Sequence, residues 1–269
     1  MTAPATSRAG GPGGSSSRAS SPTAGPRDGA CRPAGAALAA LGTVRDPELD
    51  EPITALGFVT SCTVSADGDA RVSLRLPTYF CAPNFAWLMV NDAQAAVRTV
   101  PGVGEVQVRL VDHFAADEIN TGVGEGQGFD ATFAGLADGE LDELREVFRR
   151  KALAARQDRL CRTLLAGGAT PGDLAERRLG DLPPGADTDT YLQRRAELGL
   201  DVSPAAPFLV DRAGAPVSPD RVTTYLRRLR TTAVSIEGNA GFCRGLLATR
   251  YPTGPQPAQR PAQRGGGDR

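Results

Sequence analysis

The stretch Leu76-Pro77-Thr78-Tyr79-Phe80-Cys81-Ala82-Pro83-Asn84 joins an alternating, strand-like run to a run at helical spacing, and it sets a thiol at the junction. A cysteine there lies at a helix N-terminus, where unpaired N–H groups and the helix dipole favour the thiolate. Pro83 suits the first helical turn and strengthens that placement. A thiolate so placed binds a soft metal or an iron–sulfur fragment, or attacks an electrophile. The competing reading of Cys81 is a small buried apolar residue. Asp46 and Glu48, in Asp46-Pro47-Glu48, are acids that also suit plain turn capping. His113, beside Asp112 and Phe114, is a base or ligand if it reaches Cys81 and a structural strand-end residue otherwise. Cys62 shares a strand face with Phe58 and Val64, and Cys161 a helix face with Leu160 and Leu164, so core packing is expected of both. A buried role is also favoured for Cys243, in Gly241-Phe242-Cys243-Arg244-Gly245.

The rare residues exclude much. Lys151 is the only lysine and Ala152 follows it, so no phosphate loop ending in Gly-Lys-Ser or Gly-Lys-Thr exists. One histidine rules out His-Glu-x-x-His and any multi-histidine zinc or iron site within one chain. The 30 Lys plus Arg and 31 Asp plus Glu nearly cancel, which gives no global electrostatic reason for a nucleic-acid or membrane partner. Arg149-Arg150-Lys151 and Arg227-Arg228 read as solvated helix faces, without the aromatic interleaving of single-strand binders. No apolar run is long enough to span a membrane, and the N-terminal arginines lack the apolar region of a secretory signal. Five widely spaced cysteines with no C-x-x-C then read as free thiols in a reducing cytoplasm.

The elements that must position these groups fall into two units between two tails. Residues 1–33 and 252–269 are rich in Ser, Gly, Pro and Arg and are expected to be disordered. The first unit, 34–118, opens with a short helix over 35–45, stopped by Asp46-Pro47. Phe58, Thr60, Cys62 and Val64 alternate as a strand, Asp67-Gly68-Asp69 marks a hairpin turn, and Val72, Leu74 and Leu76 form the return strand. Helical spacing runs from Pro83 to Val100, Pro101-Gly102 ends it, and Val106, Val108 and Leu110 alternate as a third strand. The expected class is α+β, a small helix-strand-strand-helix-strand sandwich. The second unit, 119–251, reads as mainly helical, with helices over 139–166, 192–200 and 218–230 and a strand–turn–strand over 207–217.

In order, Asp46-Pro47-Glu48, Leu56-Gly57-Phe58-Val59, the hairpin strands, Thr78 with Cys81, and Pro101-Gly102-Val103 resemble the metal–sulfur cluster assembly domain family of the PaaD and SufT type. The resemblance implies a compact α/β domain that acts in iron–sulfur or related metallocofactor maturation. It also implies that the acidic turn and the cysteine lie close together, with Cys81, Glu48 and Asp46 as metal ligands. Two features depart from the family: Phe80 precedes the cysteine, and Ala82 separates it from Pro83. The helical unit resembles extended versions that accompany bacterial diiron hydrocarbon monooxygenases. The expectation is a bacterial, cytoplasmic accessory factor, not an enzyme, that carries an iron–sulfur cluster or iron transiently to an apo-form client metalloprotein. One thiolate and two carboxylates do not close a cluster, so a homodimer, a small thiol or the client must complete it. The alternatives are a metal-free adaptor and a thiol-dependent enzyme pairing Cys81 with His113.

Overall fold

The computed structural model describes residues 31–134 and 141–252, so the tail residues 1–30 and 253–269 lie outside it. Helix α1 (Cys31–Leu41) is the first element of the described residues and buries Ala37 and Leu41. It ends four residues before the expected stop. Gly42 closes it by donating to the carbonyls of Leu38 and Ala39, and Ile53 N–H then bonds Val44 at 2.9 Å to fold the acidic turn back on itself.

Strands β1 (Val59–Val64), β2 (Ala70–Arg75) and β3 (Val106–Val111) form one sheet in the order β1-β2-β3. β1 and β2 pair antiparallel and β2 and β3 parallel. A parallel pair needs a long crossover, and α2 (Pro83–Arg98) supplies it. Val72, Leu74 and Leu76, with Val106, Val108 and Leu110, turn inward against Trp87, Leu88 and Val90 of α2. Each such burial is worth about 1.5–3 kcal/mol. β1 departs from strict alternation: a bulge between Val59 and Ser61 shifts the register, and Thr60 faces out instead of sharing the face of Phe58. Gly68 holds the hairpin turn at φ 97°, where a Cβ would stand 2.7 Å from the Gly102 carbonyl.

The first core continues past residue 118. Helix α3 (Ala116–Gly124) adds Ile119 and Val123, and Asn120 clamps it to β3 by bonding both the N–H and the carbonyl of Leu110, at 2.7 and 2.9 Å. Helix α4 (Phe129–Thr132) follows it.

The second unit is mainly helical, as its spacing predicts: α5 (Leu141–Ala166), α6 (Pro171–Glu176), a 3-10 turn (Leu179–Asp181), α7 (Ala186–Glu197) and α8 (Val222–Arg250). The strand–turn–strand expected over 207–217 reduces to isolated bridges, Arg178 to Pro207 and Val210 to Pro216. Prolines 207 and 216 lack the N–H a ladder needs. Buried side chains take the carbonyls instead. Arg195 bonds Pro207, the Tyr191 hydroxyl bonds Phe208 at 2.6 Å, and the Tyr225 hydroxyl bonds Val210 at 2.6 Å. Helix α8 is longer than expected. Its N-terminal half places Val222 and Leu229 in the second core, and Ala240 of its C-terminal half belongs to the first.

Candidate functional site

Cys81 occupies the turn from β2 into α2, with Ala82 as the N-cap and Pro83 opening the helix. The extra residue Ala82 therefore sets the thiol one position outside the cap. The cap has no side-chain hydrogen bond. Cys81 is half-buried, and its Sγ lies 3.3 Å from the Thr78 hydroxyl. The chain just after β3 pins this turn. Phe114 N–H donates to the Tyr79 carbonyl at 3.1 Å, and His113 Nε2 lies 2.7 Å from the Cys81 carbonyl.

The tautomer of His113 follows from its partners. Nδ1 accepts from Ala115 N–H at 3.2 Å, so Nε2 carries the proton and donates it to Cys81 O. Burial holds the imidazole pKa below its ordinary value, the bond to Cys81 opposes this, and Arg250 nearby lowers it further. A neutral ring with both nitrogens committed to backbone groups is a strut under Cys81. It is not placed as a base for the thiol.

The acidic turn is shaped by Asp46. Its Oδ1 accepts from the N–H groups of Glu48 and Leu49, both at 2.9 Å. Burial pushes the Asp46 carboxyl up to about 6 against the pull of those two bonds, and the charges of Glu48 and Glu51 raise it further. Glu48 is half-buried, and its Oε1 accepts from Asn239 Nδ2 on α8 at 3.1 Å. Asp50, which the sequence reading did not single out, ends the turn at φ 51° and is 6% exposed. Its carboxylate meets Arg156 of α5 at 2.7 Å and Arg194 of α7 at 2.8 Å, with Arg45 at 3.8 Å. The acidic turn thus docks the helical unit.

Helix α8 covers the same turn. Asn239 holds Glu48, Arg244 pairs with Glu51, Leu247 lies against Gly57, and Arg250 and Tyr251 grip Asp112. Cys243, on that face, packs against the first core. Its thiol is pushed up to about 11 by burial and then by the charges of Asp46, Cys81 and Glu48. Cys62 is half-buried against the same core, with its thiol raised by burial, whereas Cys161 is buried in the second core with its thiol raised to about 12. Among the described residues, no three His, Cys, Asp or Glu side chains stand together as a group that would hold a metal ion. Cys81, Glu48 and Asp46 therefore do not make a ready three-ligand site, and Asp46 already spends an oxygen on the turn.

Sequence reasoning missed Asp50, and the buried role it favoured for Cys243 is met in part, since that residue is half-buried against the first core. The spacing of Asn239, Cys243 and Leu247, four residues apart on one helical face, was the available signal for that packing. Among the described residues, no helix is long and apolar enough to cross a membrane.

Residues 35–108 match the family described as iron–sulfur cluster assembly protein. The iron–sulfur cluster carrier proteins of Mycobacterium bovis and of two strains of Mycobacterium tuberculosis are 39% identical over 71 residues, which is 26% of this chain and 18% of theirs. The chain thus covers less than a fifth of the length of these curated relatives. No solved structure matches it significantly. The resemblance carried by the acidic turn, Leu56-Gly57, Thr78 with Cys81 and the third strand is borne out over residues 35–108, which are similar to the iron–sulfur cluster assembly family.

Proposed function

We propose that this protein is an assembly and carrier factor that holds an iron–sulfur cluster or fragment as cargo on Cys81 and passes it to an apo-form client metalloprotein. The observation that carries the reading is a partly accessible thiol at the strand-to-helix turn of a domain that matches the assembly family over 35–108. Cys81 supplies the soft donor and Glu48 a hard oxygen at the edge of the acidic turn. Asp46 keeps that turn in shape through its two backbone bonds. His113 fixes the Cys81 backbone and leaves the thiol free to exchange ligands.

The same tautomer argues against a thiol enzyme, because the ring that would activate Cys81 has no nitrogen left for it. An exposed aromatic trio, Tyr79, Phe80 and Phe114, borders the thiol with Phe80 76% exposed. It is the surface we assign to client contact in this reading, since exposed aromatics of that size favour interfaces. A bacterial cytoplasmic setting suits free thiols and a labile cargo.

The test is cluster transfer. Protein loaded anaerobically with ferrous iron and sulfide is mixed with apo-ferredoxin in the presence of an iron chelator, and the acceptor's circular dichroism is followed. Transfer that outpaces free iron plus sulfide, and that Cys81→Ser abolishes, is the expected result. Equal rates with and without the protein would overturn the carrier reading and leave a metal-free adaptor.

A further inference from the structure

The arginines at the joint between the units are matched by acids: Asp50 takes Arg45, Arg156 and Arg194, Glu197 takes Arg194, and Asp92 takes Arg145. A second group of cations is not matched. Arg150 and Lys151 of α5, Arg212 of the turn that follows Asp211, Arg221 just before α8 and Arg228 within it line one cavity of about 420 Å³ in the second unit. Along the sequence, Arg149-Arg150-Lys151 and Arg227-Arg228 read as two separate solvated faces; the fold brings Arg150, Lys151 and Arg228 to the same cavity.

The turn that carries Arg212 is held in one shape. The Asp211 carboxylate accepts from the N–H groups of Ala213 and Ala215 at 2.9 and 3.0 Å, Gly214 takes φ 83°, and Arg150 bonds the Arg212 carbonyl. Asp211 is the only acid among the described residues that line the cavity, and its carboxylate is spent on that turn. Asp220, next to Arg221, is likewise bonded by Ser218. Arg150 is offset by Glu146, and the Lys151 ammonium lies over the Phe148 ring, 4.4 Å from its centroid. Arg212, Arg221 and Arg228 make no ion pair among the described residues. The rest of the wall is apolar, with Ala154, Leu229 and Tyr225, whose hydroxyl is already donated to the Val210 carbonyl.

We propose that this cavity binds a small organic phosphate, with the phosphate held by Arg212, Arg221 and Arg228 and an apolar or aromatic body against Tyr225 and Leu229. Its volume lies in the range of small-molecule pockets. Three guanidinium groups without an acid raise the local potential, and an anion that draws on several of them at once is favoured there. A phosphate monoester brings a charge of about −1.5 to −2 and three acceptor oxygens, whereas a carboxylate brings one charge and two oxygens. Guanidinium forks also match phosphate oxygens in pairs. The second unit alone builds this site, so it stands or falls separately from cargo on Cys81.

The probe is phenyl phosphate, titrated into the full chain at low salt and followed by calorimetry, with inorganic phosphate and benzoate in parallel. One phenyl phosphate per chain is expected. It should bind at least about tenfold tighter than inorganic phosphate, which lacks the ring, and than benzoate, which lacks the second charge. Arg212→Ala and Arg228→Ala should each weaken it by about tenfold or more, the scale of one lost hydrogen bond to a charged group. Rising salt should weaken it further. Both side chains are exposed, so the variants are expected to fold, which far-ultraviolet circular dichroism checks, with Arg212→Gln and Arg228→Gln as second variants. Arg109→Ala removes the same charge from an exposed position of β3 and should leave binding unchanged. No saturable binding, wild-type affinity in both cavity variants, or equal weakening by Arg109→Ala overturns the site. Equal affinity for phenyl phosphate and either of the other two ligands overturns the organic-phosphate assignment. Saturable binding of a poly-glutamate peptide, with none of phenyl phosphate, would overturn it as well and give the groove to an acidic partner segment.

Discussion

The two units reach burial by different routes. The first unit buries alternating Val and Leu residues of a three-stranded sheet against α2, with Cys81 half-buried at the turn from β2 into α2. The second unit is organised around polar side chains: Gln157, Tyr191, Tyr225 and Arg195 hold the loop carbonyls of Pro207, Phe208 and Val210. Arg195 is 2% exposed within it. A core of alternating apolar residues tolerates local change if its volume is kept, whereas a buried polar network has to be fully satisfied. The first unit is therefore suited to carrying a site on its edge, and the second to holding one fixed shape against it. Asp50 and α8 are where the two meet.

Removing Asp50 should break that joint hardest. Asp50→Ala leaves Arg194, 6% exposed at its side chain, and Arg156 without their shared carboxylate. Breaking one side of such a buried pair costs about 3–5 kcal/mol. Urea unfolding should show that loss, with the helical unit separating before the sheet; a cost below about 1 kcal/mol would mean that the units are held together elsewhere.

His113→Ala sharpens the contrast at the site itself. It leaves the partly buried Cys81 carbonyl without its donor, at a cost of about 0.5–1.5 kcal/mol. It should also make Cys81 react faster with a thiol-modifying reagent as the turn loosens. A base would behave oppositely, and a fall in Cys81 reactivity at neutral pH would reinstate His113 in that role.

Acidification offers a third comparison, because two buried groups of the first unit respond with opposite sign. Asp46 is raised to about 6 from 3.8, so the folded state binds its proton more readily and is favoured as the pH falls through that window. The pKa of His113 is lowered from 6.5, so the folded state resists its proton and loses stability as the pH drops below about 6.5. The two partly cancel in the wild type. Asp46→Asn keeps an oxygen to accept from Glu48 and Leu49 and removes the buried charge. It should raise stability at pH 7.5 by about 1–3 kcal/mol and expose an acid-side decline that the wild type hides. Parallel pH profiles of melting temperature for the two proteins would contradict this.

Much of the first unit was legible in the sequence. Val72, Leu74 and Leu76, and Val106, Val108 and Leu110, alternate cleanly, because strands with one covered face record it at period two. β1 was less so, since the bulge at its start turns Thr60 outward and no residue type announces it. The second unit was legible only as helix. Gly238, Gly241 and Gly245 argue locally for a helix that ends early, yet α8 runs through them to Arg250 because its C-terminal half is held by the first unit. At the site, the proximity of His113 to Cys81 could be guessed from two element ends, but its bond to a carbonyl could not. The packing of Cys243 against the first core was invisible because only tertiary packing brings α8 there.

The smallest expected effect tests that account of α8. A Cβ at Gly238, Gly241 or Gly245 would meet nothing within 4 Å, so alanine at each position carries no steric cost. Each substitution should stabilise the chain by about 0.5–1 kcal/mol through helix propensity. Destabilisation would mean that these positions bend when the helix seats on the acidic turn.

The most direct test of the central claim, that cargo sits on Cys81, is anaerobic reconstitution with ferrous iron and sulfide followed by desalting, comparing wild type with Cys81→Ser. The account predicts visible sulfur-to-iron charge-transfer bands and retained iron in the wild type, both lost in the variant. Equal iron and equal bands in the two proteins would contradict it.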